Sequence, residues 1–481
     1  MAVNLKRPIL VGGVGLSFAL WLLQSWHHSV MMLGEYSAVG AIALIVGLWL
    51  FKQYRFKGTT LQLDAAPLNR ETVAQAIAGA EAVVSHLEKE AKHEVPGLRQ
   101  RVTELHTEIN RQEIHVAVTG GKAVGKTTLI QLLDSWKPQI QTQLCWSETP
   151  ALFTTTADEG VKAANCSDLV LFVTNGDLTD SEYQVLQQLK AEERCLMLVF
   201  NKQDQYLADE RAAVLHSIKQ RMQPLLKTED DVVAIAASPS PIKVRQYQTD
   251  DTAQEWMEVR SPEITQLTQQ LSQILVQEGQ QLVLATTKRA ADNLKLEAKT
   301  ALNRVRRDRA LPLVEQYQWI AAAAAFANPV PALDLLATAA INAQLVIELG
   351  AIYQQKFSLQ QAQEVAGTMG NLMLKLGLVE LSTKAVSTVL KSNAITYVAG
   401  GVVQGVSAAY LTRLAGCSLI EYLQQQEVDA NSATGLNLDK LGQTLQNVFR
   451  QNQQMAFLQG FVKSGAKRLL PEAPQPHLSE S

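Results

Sequence analysis

The stretch that decides the fold is "EIHVAVTGGKAVGKTTLIQLL", residues 113–133. Its first residues alternate and are rich in β-branched side chains, which predicts a buried strand. The pattern Gly120-x-x-x-x-Gly125-Lys126-Thr127 follows at once, and apolar residues then recur at helical spacing. A strand, a glycine-rich loop and a helix in this order form the context in which the pattern binds phosphate. We therefore expect an α/β fold in which Gly120 to Thr127 form a phosphate loop.

The residue types in the phosphate loop suit the binding of phosphate groups. Glycines let backbone N–H groups curl around phosphate oxygens, and the N-terminus of the helix adds partial positive charge. Lys126 is expected to reach the β- and γ-phosphates, and the Thr127 hydroxyl to ligate Mg²⁺. The residues expected to hold the phosphates are Gly120, Gly121, Gly125, Lys126, Thr127 and Thr128.

A second stretch, "CLMLVFNKQD" (residues 195–204), indicates which base is bound. An unbroken apolar run predicts a buried parallel strand, and Asn201, Lys202 and Asp204 follow at its carboxyl end. The Asp204 carboxylate would accept hydrogen bonds from the ring N1–H and the exocyclic amine of guanine. Adenine offers no such pair of donors, so the buried acceptor would stay unpaired. Asn201 and the stem of Lys202 are expected to hold this loop and cover the base.

The order of the motifs resembles that of Era-like GTPases, over about Glu113 to Leu275. Two further predicted strands, at residues 169–174 and 232–236, fit that order. The resemblance implies a P-loop GTPase domain, a doubly wound and mainly parallel sheet with the nucleotide at the carboxyl ends of the strands. It also implies GTP or GDP with Mg²⁺ as ligands, and a final base-covering loop that contains Ser238.

The stretch "QLCWSETPALF" (residues 143–153) resembles the Asp-Thr-Pro-Gly-Leu of that family with two departures. In the family the Asp holds Mg²⁺ through water, so Glu148 is the second expected metal residue beside Thr127. Ala151 replaces the family's Gly, which keeps the N–H for the γ-phosphate but loses the freedom to adopt positive φ. Lys126, Glu148 and Ala151 are therefore the expected catalytic residues. No glutamine follows to position water.

The interval before Glu148 is short. Only twenty residues separate it from Thr127, which leaves room for a helix, a turn at Pro138 and one strand. Thr142 is the one threonine available as a further Mg²⁺ ligand, and the alternative is a residue at the start of the strand. Two functions stay open: a slow GTPase, and a GTP-binding scaffold with little or no hydrolysis.

The first 57 residues predict a transmembrane helical hairpin. Residues 8–26 and 34–51 are apolar stretches, and the nineteen uncharged residues of the first are enough to cross about 30 Å of hydrocarbon. Lys and Arg flank the pair but are missing from the loop between, so both chain ends are expected on the cytoplasmic side. A cleaved signal peptide is the alternative, but no small-x-small cleavage site follows the first stretch. The expected protein is an integral membrane protein with its nucleotide domain in the cytoplasm.

The remaining segment boundaries are predicted from changes in composition along the chain. We expect a helical stalk at 58–110 that breaks at Pro96, the GTPase domain at 111–275, and a basic helical connector at 276–310. The basic side chains would contact anionic headgroups or simply form a solvated face. The connector's basic residues are Lys288, Arg289, Lys295, Lys299, Arg304, Arg306, Arg307 and Arg309.

An α-helical hydrophobic domain is predicted at 311–470 and a disordered tail at 471–481. Within it, residues 311–425 resemble, in texture and position, the YcjF-like domain of unknown function, which implies membrane association. The lengths of the apolar runs fit both membrane-spanning helices and a tightly packed bundle at the membrane.

Charge and cysteine content limit the partners. A net charge of −3 gives no reason to expect nucleic acid. Cys145, Cys166, Cys195 and Cys417 show neither paired nor metal-ligand spacing, so free thiols in a reducing compartment are expected. The expected partners are membrane lipids, an unidentified protein and a second copy of the chain. A GTP-coupled transporter is disfavoured because no polar pathway is visible.

Overall fold

The structure is a computed structural model of the full chain. It describes residues 68–469, except for 92–95, 139–141, 154–156, 227, 248–252, 328–330, 393–399, 427–436 and 453–454. The predicted transmembrane hairpin, the first ten residues of the stalk and the tail at 471–481 lie outside the described residues. Those three expectations therefore stay predictions.

A five-stranded parallel sheet forms the centre of the α/β part, in the order β2-β1-β3-β4-β5. Its strands are β1 (Glu113–Gly120), β2 (Gln143–Glu148), β3 (Leu169–Thr174), β4 (Cys195–Phe200) and β5 (Val232–Ala234). A separate antiparallel pair follows, β6 (Ile242–Tyr247) and β7 (Ala253–Glu258). The parallel sheet predicted from the buried apolar runs is confirmed.

Helices surround the sheet and form most of the rest of the described chain. Those in the first part are α1 (Arg70–Ala91), α2 (Pro96–Glu108), α3 (Lys126–Ser135), α4 (Ala157–Asn165), α5 (Asp180–Ala191) and α6 (Ala208–Met222). Those in the second part are α7 (Thr265–Ala327), α8 (Pro331–Ile352), α9 (Leu359–Lys375), α10 (Leu378–Ser392), α11 (Gly400–Gln425), α12 (Leu438–Asn452) and α13 (Met455–Leu469).

Both faces of the sheet are covered. Successive residues of a strand point to opposite faces, so Val116 and Val118 of β1 join one apolar cluster while Ala117 joins another. The first cluster also takes Leu129 of α3, and the second takes Leu186 of α5. The central strand β3 is buried at all six positions. This two-sided burial is why its sequence reads as an unbroken apolar run.

Helix α7 is the longest element, with 63 residues. At 1.5 Å per residue it spans roughly 95 Å. Near its start, Leu271 joins the cluster on the sheet, and Leu294 joins the cluster with α1 and α2. Near its end, Val314 lies in a cluster with the helices that follow. The helix runs without interruption through residues 275 and 310, where composition alone had suggested divisions.

The stalk helices α1 and α2 pack along α7. Val73, Ile77 and Val84 of α1 recur at helical spacing and are fully buried or nearly so. Pro96 is the first residue of α2, a position where its missing N–H has no intrahelical partner to lose. The structure thus describes one helix that ends at Ala91 and another that begins at Pro96.

Glu90 of α1 accepts hydrogen bonds from Arg306 and Arg309 of α7 and from Gln354, with 2.7 Å between Glu90 Oε1 and Arg306 Nη2. Arg306 is 4% exposed, although composition placed it on a face turned to lipid or water. Burial alone would raise the pKa of the Glu90 carboxyl. Hydrogen bonds and charge from Arg306 and Arg309 outweigh burial, so the pKa lies below its ordinary value of 4.5.

We expect Glu90→Gln to lower the stability of the folded chain near neutral pH by about 1.5–3 kcal/mol, the range for hydrogen bonds to charged groups. Because the folded pKa is lowered, the Glu90 contribution is full above pH 4.5 and is lost as the pH falls through the folded pKa. Thermal unfolding from pH 7 to pH 3 measures the effect. The gap between wild type and variant should close at low pH.

Glu297→Gln is the matched control, because Glu297 pairs with Arg101 across the same two parts of the chain but both side chains are about half exposed. An exposed pair contributes about 0–1 kcal/mol. Equal losses for the two variants would contradict the special role given to Glu90.

The second half of the described chain is a helical domain with two apolar clusters. One includes Tyr410 and Val406 of α11 with Phe449 of α12, and the other includes Leu349 of α8 and Met369 of α9. An α-helical hydrophobic domain was predicted here. Among the helices that the structure describes, none is both long and apolar enough to cross a membrane.

Candidate nucleotide-binding site

The phosphate loop has a backbone conformation that two of its glycines make possible. Gly120 has φ 147° and Gly125 has φ 96°. A Cβ atom at Gly120 would lie 2.2 Å from the carbonyl oxygen of Val173, and one at Gly125 would lie 2.4 Å from Nδ2 of Asn201. Both positions therefore exclude a side chain, by backbone angle and by space.

Lys126 begins α3 and is only 6% exposed. Its Nζ donates hydrogen bonds to the carbonyl oxygens of Gly120 at 3.2 Å and Gly121 at 3.0 Å. Burial lowers the pKa of the amine, and the negative charge of Glu148 opposes that shift. The ammonium group is thus held against the backbone of the phosphate loop by weak, neutral acceptors. Phosphate oxygens would be stronger acceptors for the same protons.

The structure brings together Thr127 and Glu148, the two expected Mg²⁺ residues. The Thr127 hydroxyl donates to Oε2 of Glu148 at 2.7 Å. Glu148 ends β2 opposite Val118, two residues before Gly120, the last residue of β1. Two neighbouring ligands of an octahedral Mg²⁺ lie about 3 Å apart at metal–oxygen distances of about 2.1 Å. The hydroxyl and carboxylate oxygens therefore fit one Mg²⁺ with little movement.

Asn201 joins three loops and is 2% exposed. Its Nδ2 donates to the carbonyl oxygen of Val124 in the phosphate loop at 2.9 Å. Its Oδ1 accepts from the backbone N–H of Lys202 at 2.8 Å and of Ala237 at 3.0 Å. One side chain therefore fixes the phosphate loop, the 201–204 loop and the loop after β5 relative to one another.

The remaining base-site residues lie around Asn201. Lys202 has φ 62°, and its Nζ donates to the carbonyl oxygen of Ala123 at 2.8 Å. Asp204 is half-buried, and its Oδ2 accepts from the backbone N–H of Ser240 at 2.9 Å. Ser238 is exposed in the same loop as Ser240. Sequence reasoning missed the Ser240 N–H and the Val124 carbonyl, because backbone groups carry no residue signature.

The segment after Glu148 is anchored on both sides. The N–H of Leu152 donates to the carbonyl oxygen of Gly120 at 3.1 Å, and the Leu152 side chain is 2% exposed. A Cβ atom on Gly160 would lie 2.7 Å from the carbonyl oxygen of Pro150, so α4 approaches this segment closely. Ala151 is half-buried between these anchors. The segment is therefore tied to the phosphate loop at the position where the γ-phosphate is expected.

Thr142 had two predicted roles, a Mg²⁺ ligand or a residue at the start of the strand. The structure places it directly before β2, which agrees with the second. Gln143 pairs with Glu113, the first residue of β1, whereas the phosphate loop follows the last. The two ends of β1 are roughly 23 Å apart at about 3.3 Å per residue. A Mg²⁺ ion beside Thr127 is out of reach of Thr142, because the strands run parallel.

Comparisons with known proteins give a domain match and distant structural similarities. Residues 289–454 match the model of a domain of unknown function, DUF697. No curated protein matches. Similar solved structures include the LeoA bacterial dynamin GTPase from ETEC, at 13% identity over 83% of this chain and 94% of that chain, with a TM-score of 0.28.

Two further structures come from an oligomerised bacterial dynamin pair described as sensing and tethering membranes over long range. One is 13% identical over 85% of this chain and 80% of that chain, with a TM-score of 0.24. The other is 12% identical over 88% and 84%, with a TM-score of 0.25. Scores this low do not establish a shared overall fold.

Proposed function

We propose that this chain is a membrane-anchored GTP-binding protein that hydrolyses GTP slowly and couples its nucleotide state to the helical domain. The observation that supports it most is the set of hydrogen bonds from Asn201, which joins a phosphate loop to a base-binding loop. The Thr127–Glu148 contact beside that loop supports a Mg²⁺-dependent site. The anchor would be residues 1–57, with the nucleotide site on the cytoplasmic side.

Each group of the proposed site would have a separate role in GTP hydrolysis. Lys126 would neutralise charge on the β- and γ-phosphates, and backbone N–H groups of the phosphate loop would bind their oxygens. Mg²⁺, which Thr127 and Glu148 would hold directly or through water, would stabilise negative charge on the phosphate oxygens, including the charge that develops on the departing GDP. The Ala151 N–H would face the γ-phosphate. Leu152 is buried, so the group that orients the attacking water would come from elsewhere.

The proposed coupling runs through backbone contacts. Ala236 exchanges two backbone hydrogen bonds with Glu263, at 3.1 and 2.9 Å. The next residue, Ala237, donates to Asn201, and α7 begins two residues after Glu263 at Thr265. A movement of the base-side loop would therefore reach the start of α7 directly. Helix α7 continues into the helical domain, which gives the proposal a mechanical route.

Asp204→Asn is expected to change the preferred base from guanine to xanthine. An ionised carboxylate accepts at both oxygens, so Asp204 has room for two guanine donors beside the Ser240 N–H. An amide at this position would also donate, which matches the 2-oxo group of xanthine. Calorimetry with GDP, XDP and ADP measures the change, which should exceed tenfold, or about 1.4 kcal/mol. Equal affinity of the native protein for ADP and GDP would refute the guanine site.

Ala151→Gly should leave GDP affinity nearly unchanged and raise the single-turnover rate of GTP hydrolysis. The N–H of this residue would face the γ-phosphate, which GDP lacks, and glycine restores backbone freedom worth about 0.5–1 kcal/mol, or a several-fold change in rate. Ala151→Val is the matched control, because a β-branched residue restricts the backbone further and should slow the reaction. A rate that does not respond to either change would mean that mobility of this segment is not limiting.

A GTP-binding scaffold is the second candidate. The observation that favours it is that Thr142, the further Mg²⁺ ligand that the sequence offered, lies at the end of β2 far from the phosphate loop. Turnover of GTP by the full chain, with and without liposomes, separates the two candidates. The Lys126→Ala variant serves as the blank, because it gives the background rate of GTP turnover. A rate equal to that blank under both conditions would favour the scaffold.

A further inference from the structure

A second cluster of metal-binding side chains lies at the opposite end of the sheet from the phosphate loop. Glu113 and His115 belong to β1, and Cys145 belongs to β2. The parallel register places His115 opposite Cys145, and Glu113 lies two residues before His115 on the same face. The sheet therefore brings a carboxylate, an imidazole and a thiol to one place.

The distances between the donor atoms suit one ion. Oε2 of Glu113 lies 3.6 Å from Sγ of Cys145 and 3.9 Å from Nε2 of His115. All three donor atoms lie within 4.8 Å of one another. In a tetrahedral zinc site, metal–ligand distances of about 2.0–2.3 Å put neighbouring ligand atoms roughly 3.3–3.6 Å apart. Shifts of about an ångström or less would bring all three atoms to one ion.

The donor set selects the kind of ion. Thiolate and imidazole favour Zn²⁺ and similar transition metals, whereas Mg²⁺ and Ca²⁺ prefer oxygen ligands. The side chains of Glu113 and His115 are 47% and 42% exposed, so an ion and a water molecule as fourth ligand have access. This chemistry separates the cluster from the oxygen pair of Thr127 and Glu148.

The side chain of the neighbouring cation Arg111 bonds carboxylates outside the cluster. The nearby cation Arg111 gives two hydrogen bonds to the buried carboxylate of Asp168, at 2.8 and 2.9 Å, and another to Glu108. Burial and the neighbouring carboxylate of Glu113 raise the pKa of the Cys145 thiol. A cysteine binds metal as its thiolate, so binding of a divalent ion at Cys145 would release the thiol proton.

We propose that Glu113, His115 and Cys145 form a three-ligand site for Zn²⁺ or a similar transition-metal ion that ties the edge strand β2 to β1. Within the described sheet, β2 has only β1 as a neighbour. Glu148 lies three residues after Cys145 on the same strand, so the ion would restrain the strand that carries the predicted Mg²⁺ ligand. The metal site itself does not depend on the proposed GTP function.

Titration of the full-length protein with Co²⁺ tests the site, because cobalt bound to thiolate and imidazole gives a sulfur-to-metal charge-transfer band and visible d–d bands. We expect these bands to saturate at one Co²⁺ per chain and to disappear when Zn²⁺ is added. Excess Mg²⁺ should leave them unchanged. Cys145→Ser should abolish the charge-transfer band, whereas Cys166→Ser, at an exposed cysteine outside the cluster, should keep it.

A second measurement uses the unaltered chain and does not depend on how the variants fold. Zn²⁺ should protect Cys145 from alkylation by iodoacetamide, followed by peptide mass spectrometry, while exposed Cys166 stays reactive. His115→Ala should remove that protection. A charge-transfer band that survives Cys145→Ser, bands that Mg²⁺ displaces, or equal alkylation of Cys145 with and without Zn²⁺ would each overturn the site. None of these outcomes bears on GTP binding.

Discussion

Lys126→Ala is expected to lower GTP affinity by roughly 10²- to 10⁴-fold. The ammonium now bonds two backbone carbonyls of the phosphate loop, at 3.2 and 3.0 Å, and these neutral acceptors would give way to phosphate oxygens. Two hydrogen bonds to charged groups are worth about 1.5–3 kcal/mol each, which gives the range stated. Calorimetry with GTP and Mg²⁺ measures the loss.

Lys122→Ala is the matched control, since Lys122 lies in the same loop but is exposed. It should reduce affinity by less than about 1 kcal/mol. Thermal unfolding of both variants shows whether the phosphate loop is still folded. Similar losses for both lysines would mean that general positive charge, and not the buried ammonium, binds the nucleotide.

Asn201→Ala is expected to have the second-largest effect, because one side chain links three loops. The substitution leaves the carbonyl of Val124 and the N–H of Ala237 without their partner, and both residues are at least 96% buried. A buried polar group left unpaired costs about 1–3 kcal/mol, so the free energy of unfolding should fall by about 2–6 kcal/mol. GDP affinity should fall as well, because the base loop loses its position relative to the phosphate loop.

Thermal unfolding with and without GDP checks both effects. Asn293→Ala, an exposed asparagine on α7, is the control and should change neither quantity measurably. Native stability together with native GDP affinity for Asn201→Ala would remove the main support for the proposed site.

The strands and the phosphate-binding motif could be predicted because their signals are local. The runs at β3 and β4 are buried at nearly every position, and apolar residues without interruption mark such strands. Gly120 and Gly125 are required by backbone angle and by close neighbours, so the motif and its geometry agree.

Other features could not be predicted, because they depend on which strands become neighbours in the sheet. The cysteine spacing along the chain gave no sign of a metal cluster, because Cys145 lies thirty residues after His115 and only the parallel register brings them together. Thr142 had a suitable residue type for Mg²⁺, but β2 pairs parallel to β1 and carries it to the far end. Register is set by tertiary packing, which a single sequence does not reveal.

The predicted surface position of Arg306 was wrong for a third reason. A run of positive charge near an apolar region predicts a surface, whether it faces lipid or water. Glu90 lies more than two hundred residues earlier and buries Arg306 against α1. A partner this distant in sequence converts a surface charge into part of the interior.

The length of α7 bears on whether the chain can be cut into fragments that fold separately. Leu282 and Val283 lie beyond residue 275, yet they belong to the same apolar cluster as β1 and β3. Beyond them, Arg289 also donates to the carbonyl oxygen of Glu193 at 2.6 Å. A fragment that ends at residue 275 would lose the part of this apolar cluster that Leu282 and Val283 supply. The proposed nucleotide site and the helical domain thus share one continuous helix as their support, and we expect heat to unfold the two together rather than one after the other.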